Sequence, residues 1–283
     1  AADFCKGVRV MKYIILTKKN LTNAFLIIIA VILLVILGTH LVSKAVESSA
    51  ANRKLPVYSV ETGKNQVALS FDAAWGNEDT QKLIDIMKNY GIKATFFVVG
   101  QWVDKFPDSV KALHDAGHSI QSHSDTHPHM PRLSVEAMTK EIAAANDKIE
   151  GVTGIRPTLL RPPYGDYNNT LIEVLAEQGM TCIQWDVDSL DWKDRSAKQI
   201  QDVVLGKVRP GSIVLFHNAA ANTPAALPGI IEALKAEEYE FVLIKDMLLT
   251  GNYRIDHEGR QVPLVVPNDS SAITSKAVGS KAA

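Results

Sequence analysis

Cysteine is nearly absent: only Cys5 and Cys182 occur in 283 residues. The two would lie on opposite sides of any membrane crossed by the apolar stretch between them, so no intrachain disulfide is expected. Cys182, in the apolar run Met180-Thr181-Cys182-Ile183, reads as an inert buried thiol rather than a nucleophile. An excess of basic charge is lacking as well. The formal net charge is −1, and the first 23 residues, with Lys6, Arg9, Lys12, Lys18 and Lys19 against Asp3, carry +4, which leaves −5 for the remainder. A mildly acidic body has no counterion-releasing footprint, which argues against nucleic-acid binding and points to a neutral or cationic partner. No long internal repeat is present, so solenoids and propellers are excluded.

What the sequence does have is one long apolar run. Ala24 to Gly38 is unbroken, and Leu41-Val42 extend it past Thr39-His40 to 19 residues, close to the roughly 20 that cross a bilayer core. Lys18 and Lys19 precede it, so the positive-inside preference places the N-terminus in the cytoplasm and everything after Val42 outside a single-pass cell membrane protein. A cleaved signal peptide is the competing reading, with small residues available at Ser48-Ser49-Ala50-Ala51. The run exceeds the usual apolar region of about 7–15 residues in such peptides, which favours an uncleaved anchor. Met11 is an alternative start of translation. The expected layout is a cytoplasmic N-terminus and anchor over 1–43, a polar linker over 44–64, a catalytic domain over 65–250, and a C-terminal hairpin and Ser-, Ala- and Lys-rich tail over 251–283.

From Gln66 onward two hydrophobic periods alternate. Strands are expected at 67–71, 94–99, 118–122, 158–160, 180–185, 212–216 and 240–243. Between them lie a helix capped by Asn77 and ended by Gly91, one around 109–116 ended by Gly117, one over 135–152 stopping near Gly151, and others near 168–178, 196–207 and 226–237. Tyr253–Pro263 reads as a hairpin turning at His257-Glu258-Gly259. Such alternation implies a mostly parallel sheet covered by helices, closed as a barrel or doubly wound. About seven strands suit a barrel, whose active site lies at the C-terminal strand ends.

Five motifs each follow a predicted strand. Ser122-His123-Ser124-Asp125-Thr126-His127 places two imidazoles four apart, a spacing that on a helical turn would aim both at one divalent ion. His114 and His118 share that spacing, but Gly117 breaks the helix, so they read as a helix-end cation and a strand-start residue. Ser70-Phe71-Asp72 ends an apolar strand in an acid, which could be a ligand or general base, or the cap of the following helix. Arg161-Pro162-Pro163-Tyr164-Gly165 fixes φ twice and could aim Arg161 at a carboxylate, or could be an ordinary Pro-Gly turn. Asp186-Val187-Asp188-Ser189-Leu190-Asp191-Trp192 offers three carboxylates and a tryptophan. Leu215-Phe216-His217 closes a strand with a histidine that a carboxylate partner would turn into a general acid. The glutamate of a His-Glu-x-x-His zinc peptidase is missing.

This ordered set, Phe71-Asp72, His123-Ser124-x-x-His127, Arg161-Pro162-Pro163-Tyr164, Asp188-x-x-Asp191-Trp192 and Leu215-Phe216-His217, resembles the polysaccharide deacetylases of carbohydrate esterase family 4 over about residues 65–248. The resemblance implies a distorted parallel (β/α) barrel of about seven strands behind the transmembrane helix. It also implies hydrolysis of N-acetyl groups on a hexosamine polymer such as peptidoglycan or a chitin-like chain, by a monomer that binds no nucleic acid. By that resemblance Asp72 would be the base that activates water, tethered by Arg161. His123 and His127 would hold a divalent ion, zinc or else cobalt or manganese. His217 would protonate the leaving amine with its basicity raised by Asp191. Trp192 and Leu215 would shape the acetyl pocket, and the Tyr164 backbone N–H would help hold the oxyanion. The departure is at position 73, where Ala73 replaces the family's second aspartate, its third metal ligand. An ion held by two imidazoles and waters is then implied, helped by Asp72 or by Glu78, Asp79 or Asp125 and bound more weakly. The alternative is a glycan-binding pseudoenzyme that keeps the groove without turnover.

Overall fold

The computed structural model describes residues 18–51 and 53–264, and the chain divides into two compact units that meet between Arg53 and Lys54. The first contains α1, Lys18–Ala51. Its window Leu21–Thr39 has a mean hydropathy of 2.9 with none of it buried. By length and composition this helix is apolar enough to cross a membrane, as a signal sequence also is. Cys5, Met11, the basic residues up to Lys12 and the tail beyond 264 lie outside the described residues.

The second unit runs β1 (Ser59–Val60), β2 (Gln66–Ala73), α2 (Thr80–Asn89), β3 (Thr95–Val98), α3 (Gly100–Lys105), α4 (Pro107–Asp115), β4 (Ser119–Ser122), α5 (Val135–Thr153), β5 (Leu159–Leu160), α6 (Asn169–Glu177), β6 (Thr181–Cys182), β7 (Val187–Asp188), α7 (Ala197–Leu205), β8 (Ser212–His217), α8 (Thr223–Ala236), β9 (Glu240–Phe241), α9 (Ile244–Met247), β10 (Tyr253–Ile255) and β11 (Arg260–Pro263). Strands β8, β2, β3, β4, β5 and β6 lie side by side in that order, all parallel. The sheet curls into a distorted (β/α) barrel. On β2 the side chains alternate, as strand geometry requires. Val67, Leu69, Phe71 and Ala73 belong to the apolar layer under the helices, whereas Ala68 packs inward with Phe97 and Ile213. Phe71 stacks between Phe96, centroids 4.8 Å apart, and Phe216, 5.4 Å, its register partners on β3 and β8. Truncating such a buried ring costs about 3–5 kcal/mol. This stack fixes the strand ends on which the next residues, Asp72 and His217, stand.

The barrel closes where the sequence suggested a linker. β7 pairs with β8, Val187 opposite Val214 and Asp188 opposite Leu215, but β6 is not paired with β8. Residues 57–60 fill the gap: Val57 bridges Ile183, Ser59 pairs with Ser212, and Val57 and Val60 are fully buried. Asp186 completes the seam by accepting the Ile213 N–H and the Ser212 hydroxyl, each at 2.9 Å. The expected C-terminal hairpin forms, and β11 adds in parallel to β1, so it is part of the sheet. Two turns press so closely on this segment that a Cβ at Gly211 would strike the Val60 carbonyl and one at Gly259 the Tyr58 ring.

Three helix limits differ from expectation. The helix placed around 109–116 is preceded by a separate α3, the two broken at Phe106 because the residue before Pro107 avoids helical geometry (φ −133°, ψ 52°). α2 is entered at Asp79, not Asn77, whose side chain instead donates to Ser109 Oγ at 3.0 Å. α5 passes through Gly151 and ends at Gly154, the residue that takes the left-handed cap (φ 71°).

Candidate active site

All the expected site residues except Arg161 border one groove of about 840 Å³ at the C-terminal ends of the strands. Arg161 lies beneath it, fully buried. It follows β5, and its guanidinium donates from Nη1 to Asp72 Oδ1 (2.8 Å) and from Nη2 to Ser70 Oγ (2.8 Å) and the Gln184 carbonyl (3.1 Å). Its plane rests over Phe97, 4.2 Å from the ring centroid, and lies 5.5 Å from the Trp185 centroid. Burial works against ionisation of Asp72, but Arg161, then His123 and His217, more than offset it and hold the carboxyl below its ordinary value. Breaking a buried pair of this kind costs about 3–5 kcal/mol, since the survivor is left uncompensated.

His123 and His127 do not share a helical turn. They lie in the loop after β4, where Ser124 (φ 66°) and His127 (φ 61°) are both left-handed and Ser124 Oγ accepts the His127 N–H at 3.1 Å. Glu141 of α5 braces this loop by accepting the N–H groups of Asp125 (3.0 Å) and Thr126 (2.9 Å) and the Thr126 hydroxyl (2.8 Å). His123 Nδ1 meets the Arg161 carbonyl at 2.6 Å, so Nδ1 carries the proton and the Nε2 lone pair is free, 3.6 Å from Asp72 Oδ2. His127 Nδ1 is buried without a hydrogen-bond partner, and the two rings lie 5.0 Å apart. Burial lowers the pKa of both imidazoles, that of His127 to about 4. Two neutral imidazoles with unpaired ring nitrogens, beside a carboxylate edge, are chemistry that suits zinc or a similar ion.

A third protein donor does not join them. Among the described residues no three His, Cys, Asp or Glu side chains gather around one point. Asp125 is paired to Lys148 at 2.7 Å, Asp79 accepts the Ala219 N–H at 2.9 Å, and Glu78 accepts the Asn77 N–H at 3.0 Å. Ala73 does not stand in the groove either. β2 stays regular through it, opposite Val98, so its fully buried side chain belongs to the apolar layer while Asp72 and Ala74 border the groove.

His217, at the end of β8, is joined to Asp191 twice. Its Nδ1–H donates to Oδ1 and its backbone N–H to Oδ2, both at 2.8 Å, and the Thr223 hydroxyl adds a third donor at 2.7 Å. Burial opposes the imidazolium, yet the Asp191 hydrogen bond and charge, with Asp72 and Asp188, raise the His217 pKa above its ordinary value. With Nδ1 engaged, Nε2 is left for the groove. Leu215 is 2% exposed and borders the groove beside Trp192, which is 56% exposed. Tyr164 is left-handed (φ 61°, ψ 5°), its ring stacked on His129 (4.2 Å, 18°) and set edgewise to His127 (4.6 Å).

Several contributors were not singled out from sequence. His129, bonded through Nδ1 to Asp166 at 2.5 Å, supports Tyr164. Asn218 and Thr223 orient the loops beside His217. The one signal for them was adjacency, since His129 follows His127 by two and Asn218 follows His217 directly. His118 proves structural, as expected: its buried Nδ1 accepts the Ala94 N–H at 3.2 Å, and burial with nearby Lys93 takes its pKa to about 4.

Residues 59–183 match a family model described as polysaccharide deacetylase. The chain is similar to a peptidoglycan-N-acetylglucosamine deacetylase of Bacillus cereus, 34% identical over 201 residues that make up 70% of this chain and 73% of that protein. It is also similar to the peptidoglycan-N-acetylglucosamine deacetylase PgdA of Listeria monocytogenes, 36% identical over 209 residues covering 71% of this chain but 44% of that relative. Among solved structures it is similar to a carbohydrate esterase family 4 pseudoenzyme from Bacillus anthracis, with a TM-score of 0.65 and 32% identity over 68% of each chain. A mutant of that pseudoenzyme is described as having restored enzymatic activity.

Proposed function

The chain belongs to the polysaccharide deacetylase family, and we propose that it hydrolyses N-acetyl groups on the hexosamine units of peptidoglycan or a related envelope polysaccharide. The observation that carries this reading is the pair of oppositely tuned dyads over one groove, Asp72 with Arg161 and His217 with Asp191. Asp72, kept ionised, takes a proton from the water whose oxygen attacks the acetyl carbon. His217, kept protonated, gives a proton through Nε2 to the amine nitrogen as the C–N bond breaks. Acetate leaves, the sugar amine remains, and Asp72 and His217 return to their starting forms by exchange with solvent. Each proton transfer of this sort contributes about 10²–10⁴ in rate. The Tyr164 N–H, presented by a left-handed residue, is the donor for the developing oxyanion, a role worth about 10²–10³. Leu215 and Trp192 enclose the acetyl methyl group. His123 and His127 are the residues that would hold a divalent ion, zinc, cobalt or manganese, which when bound polarises the carbonyl and acidifies water.

In this reading α1 anchors the chain in the cell membrane, since Lys18 and Lys19 precede its apolar span, and the barrel works outside as a monomer. The test is acetate release by the full chain in detergent from peptidoglycan and from N-acetylglucosamine oligomers, with each metal added singly. No acetate under any of these conditions overturns it. A second reading, glycan binding without turnover, draws on the missing third donor near His123 and His127. Binding of these glycans without acetate release selects it.

A further inference from the structure

Trp75 takes no part in the proton transfers, yet it is 60% exposed in the loop that follows Asp72. An indole in water forfeits much of the stabilisation that burial gives it, so such a side chain calls for an explanation when its backbone is held firmly. This backbone is. Asn218 Nδ2 donates to the carbonyls of Trp75 (2.7 Å) and Gly76 (2.8 Å), Asn218 Oδ1 accepts the Ala74 N–H (3.3 Å), and Trp102 Nε1 donates to the Gly76 carbonyl at 2.6 Å. Gly76 is left-handed (φ 51°), and a Cβ there would strike Glu78. The loop is clasped on both sides while its largest side chain stays wet, its ring set edgewise to that of His127, centroids 4.9 Å apart at 74°.

Trp75 is one of two exposed tryptophans, and both border the groove. Trp192 and Tyr164, the latter 59% exposed, come from the loops after β7 and β5. Three aromatic faces on three separate loops surround a groove of about 840 Å³, near the upper end of what a single small ligand fills. The C–H faces of a pyranose are apolar and its rim is hydroxylated, a combination that suits an amphipathic ring at a wet edge.

We propose that Trp75 is a stacking platform for a sugar next to the one that carries the scissile acetamide, so that the groove reads an oligomer of N-acetylhexosamine units and not a single residue. This rests on the glycan reading of the groove but not on turnover.

The test is isothermal titration of the full chain in detergent with N-acetylglucosamine and with its tetrasaccharide. Wild type binds the tetrasaccharide more tightly, and Trp75→Ala weakens that binding about tenfold, the size expected for loss of one aromatic contact, while the monosaccharide changes less. Trp75→Phe keeps most of the gain from chain length, which distinguishes a lost ring from a disturbed fold. The proposal is overturned if wild type shows no gain from chain length, or if Trp75→Ala matches wild type for the tetrasaccharide. Tight, Trp75-dependent binding without acetate release leaves it standing and removes only the proposed reaction.

Discussion

Asp72 and His217 are register partners, facing each other across the adjacent parallel strands β2 and β8. Directly opposed residues on neighbouring strands point to the same side of the sheet, so the two groups reach the groove together, one position beyond the Phe71–Phe216 stack. They differ in the sign of the partner behind each. A buried guanidinium stabilises the anion of Asp72, and a buried carboxylate stabilises the cation of His217. One sheet position thus yields a base and an acid.

Replacing His217 by Ala should lower turnover by about 10²–10⁴ with zinc affinity retained, because His217 is engaged by Asp191 on β8, whereas His123 and His127 belong to the loop after β4. His123→Ala should lose both turnover and zinc. Zinc titration of the two variants decides the matter, and loss of zinc in His217→Ala would make that residue a ligand and void its assignment as the acid.

The raised pKa of His217 sets the alkaline limit. Its imidazolium is stabilised in the folded protein relative to the ordinary value of 6.5, so the protonated acid persists above pH 6.5 and kcat/KM falls as pH rises through the folded-state value. The same pair contributes stability that is fully present below about pH 6.5 and is lost as pH rises past the folded pKa. Asp191→Asn should move the alkaline limb of the kcat/KM profile to lower pH. A limb that does not move means that another group controls it.

Ala73→Asp should fail to supply a metal donor. The side chain at 73 is fully buried in the apolar layer with Phe71 and Leu83, so a carboxylate there lacks a partner and costs about 3 kcal/mol or more. A fall of roughly 10 °C in Tm is expected for a domain of this size. Ala74, which borders the groove, is the better place: Ala74→Asp should tighten zinc by about tenfold, the scale on which neighbouring groups tune metal sites. Calorimetric melting and zinc titration of both variants check this. A stable Ala73→Asp with tightened zinc would show that the strand turns after Asp72 instead of continuing.

The strand ends and the residues standing on them were legible because each lies within a few residues of an apolar run whose period announces itself. Phe71-Asp72 and Phe216-His217 are local patterns, and local patterns survive in a sequence. The closure by residues 57–60 was not legible. Val57 and Val60 are separated by polar Tyr58 and Ser59, too short a stretch to show a period, and the partners of the segment, Ile183 for Val57 and Ser212 for Ser59, are over a hundred residues away. The loop form of His123–His127 was hidden for a similar reason: Ser124 and His127 adopt left-handed geometry that neither residue type advertises, and Glu141, which braces them, arrives from a helix. At position 73 the motif gives order along the chain, whereas the direction of the side chain depends on whether the strand has ended, which no local pattern states.

The segment just before β2 also decides what can be cut away. Lys54 is tied to α6, its N–H on Asn169 Oδ1 at 2.9 Å and its Nζ on Glu173 at 2.8 Å. A scission at residues 48–51 would remove α1 and leave every stave in place. Trimming the chain to residue 65, just before β2, would remove a stave instead. The backbone bonds between Val57 and Cys182, Val57 and Gln184, Tyr58 and Gly259, Val60 and Gly211, and Glu61 and Gln261 would all be lost. At about 0.5–1.5 kcal/mol each, they approach the lower end of the roughly 5–15 kcal/mol that holds a domain folded. A cut that spares the barrel and a cut that opens it are therefore separated by about a dozen residues of chain.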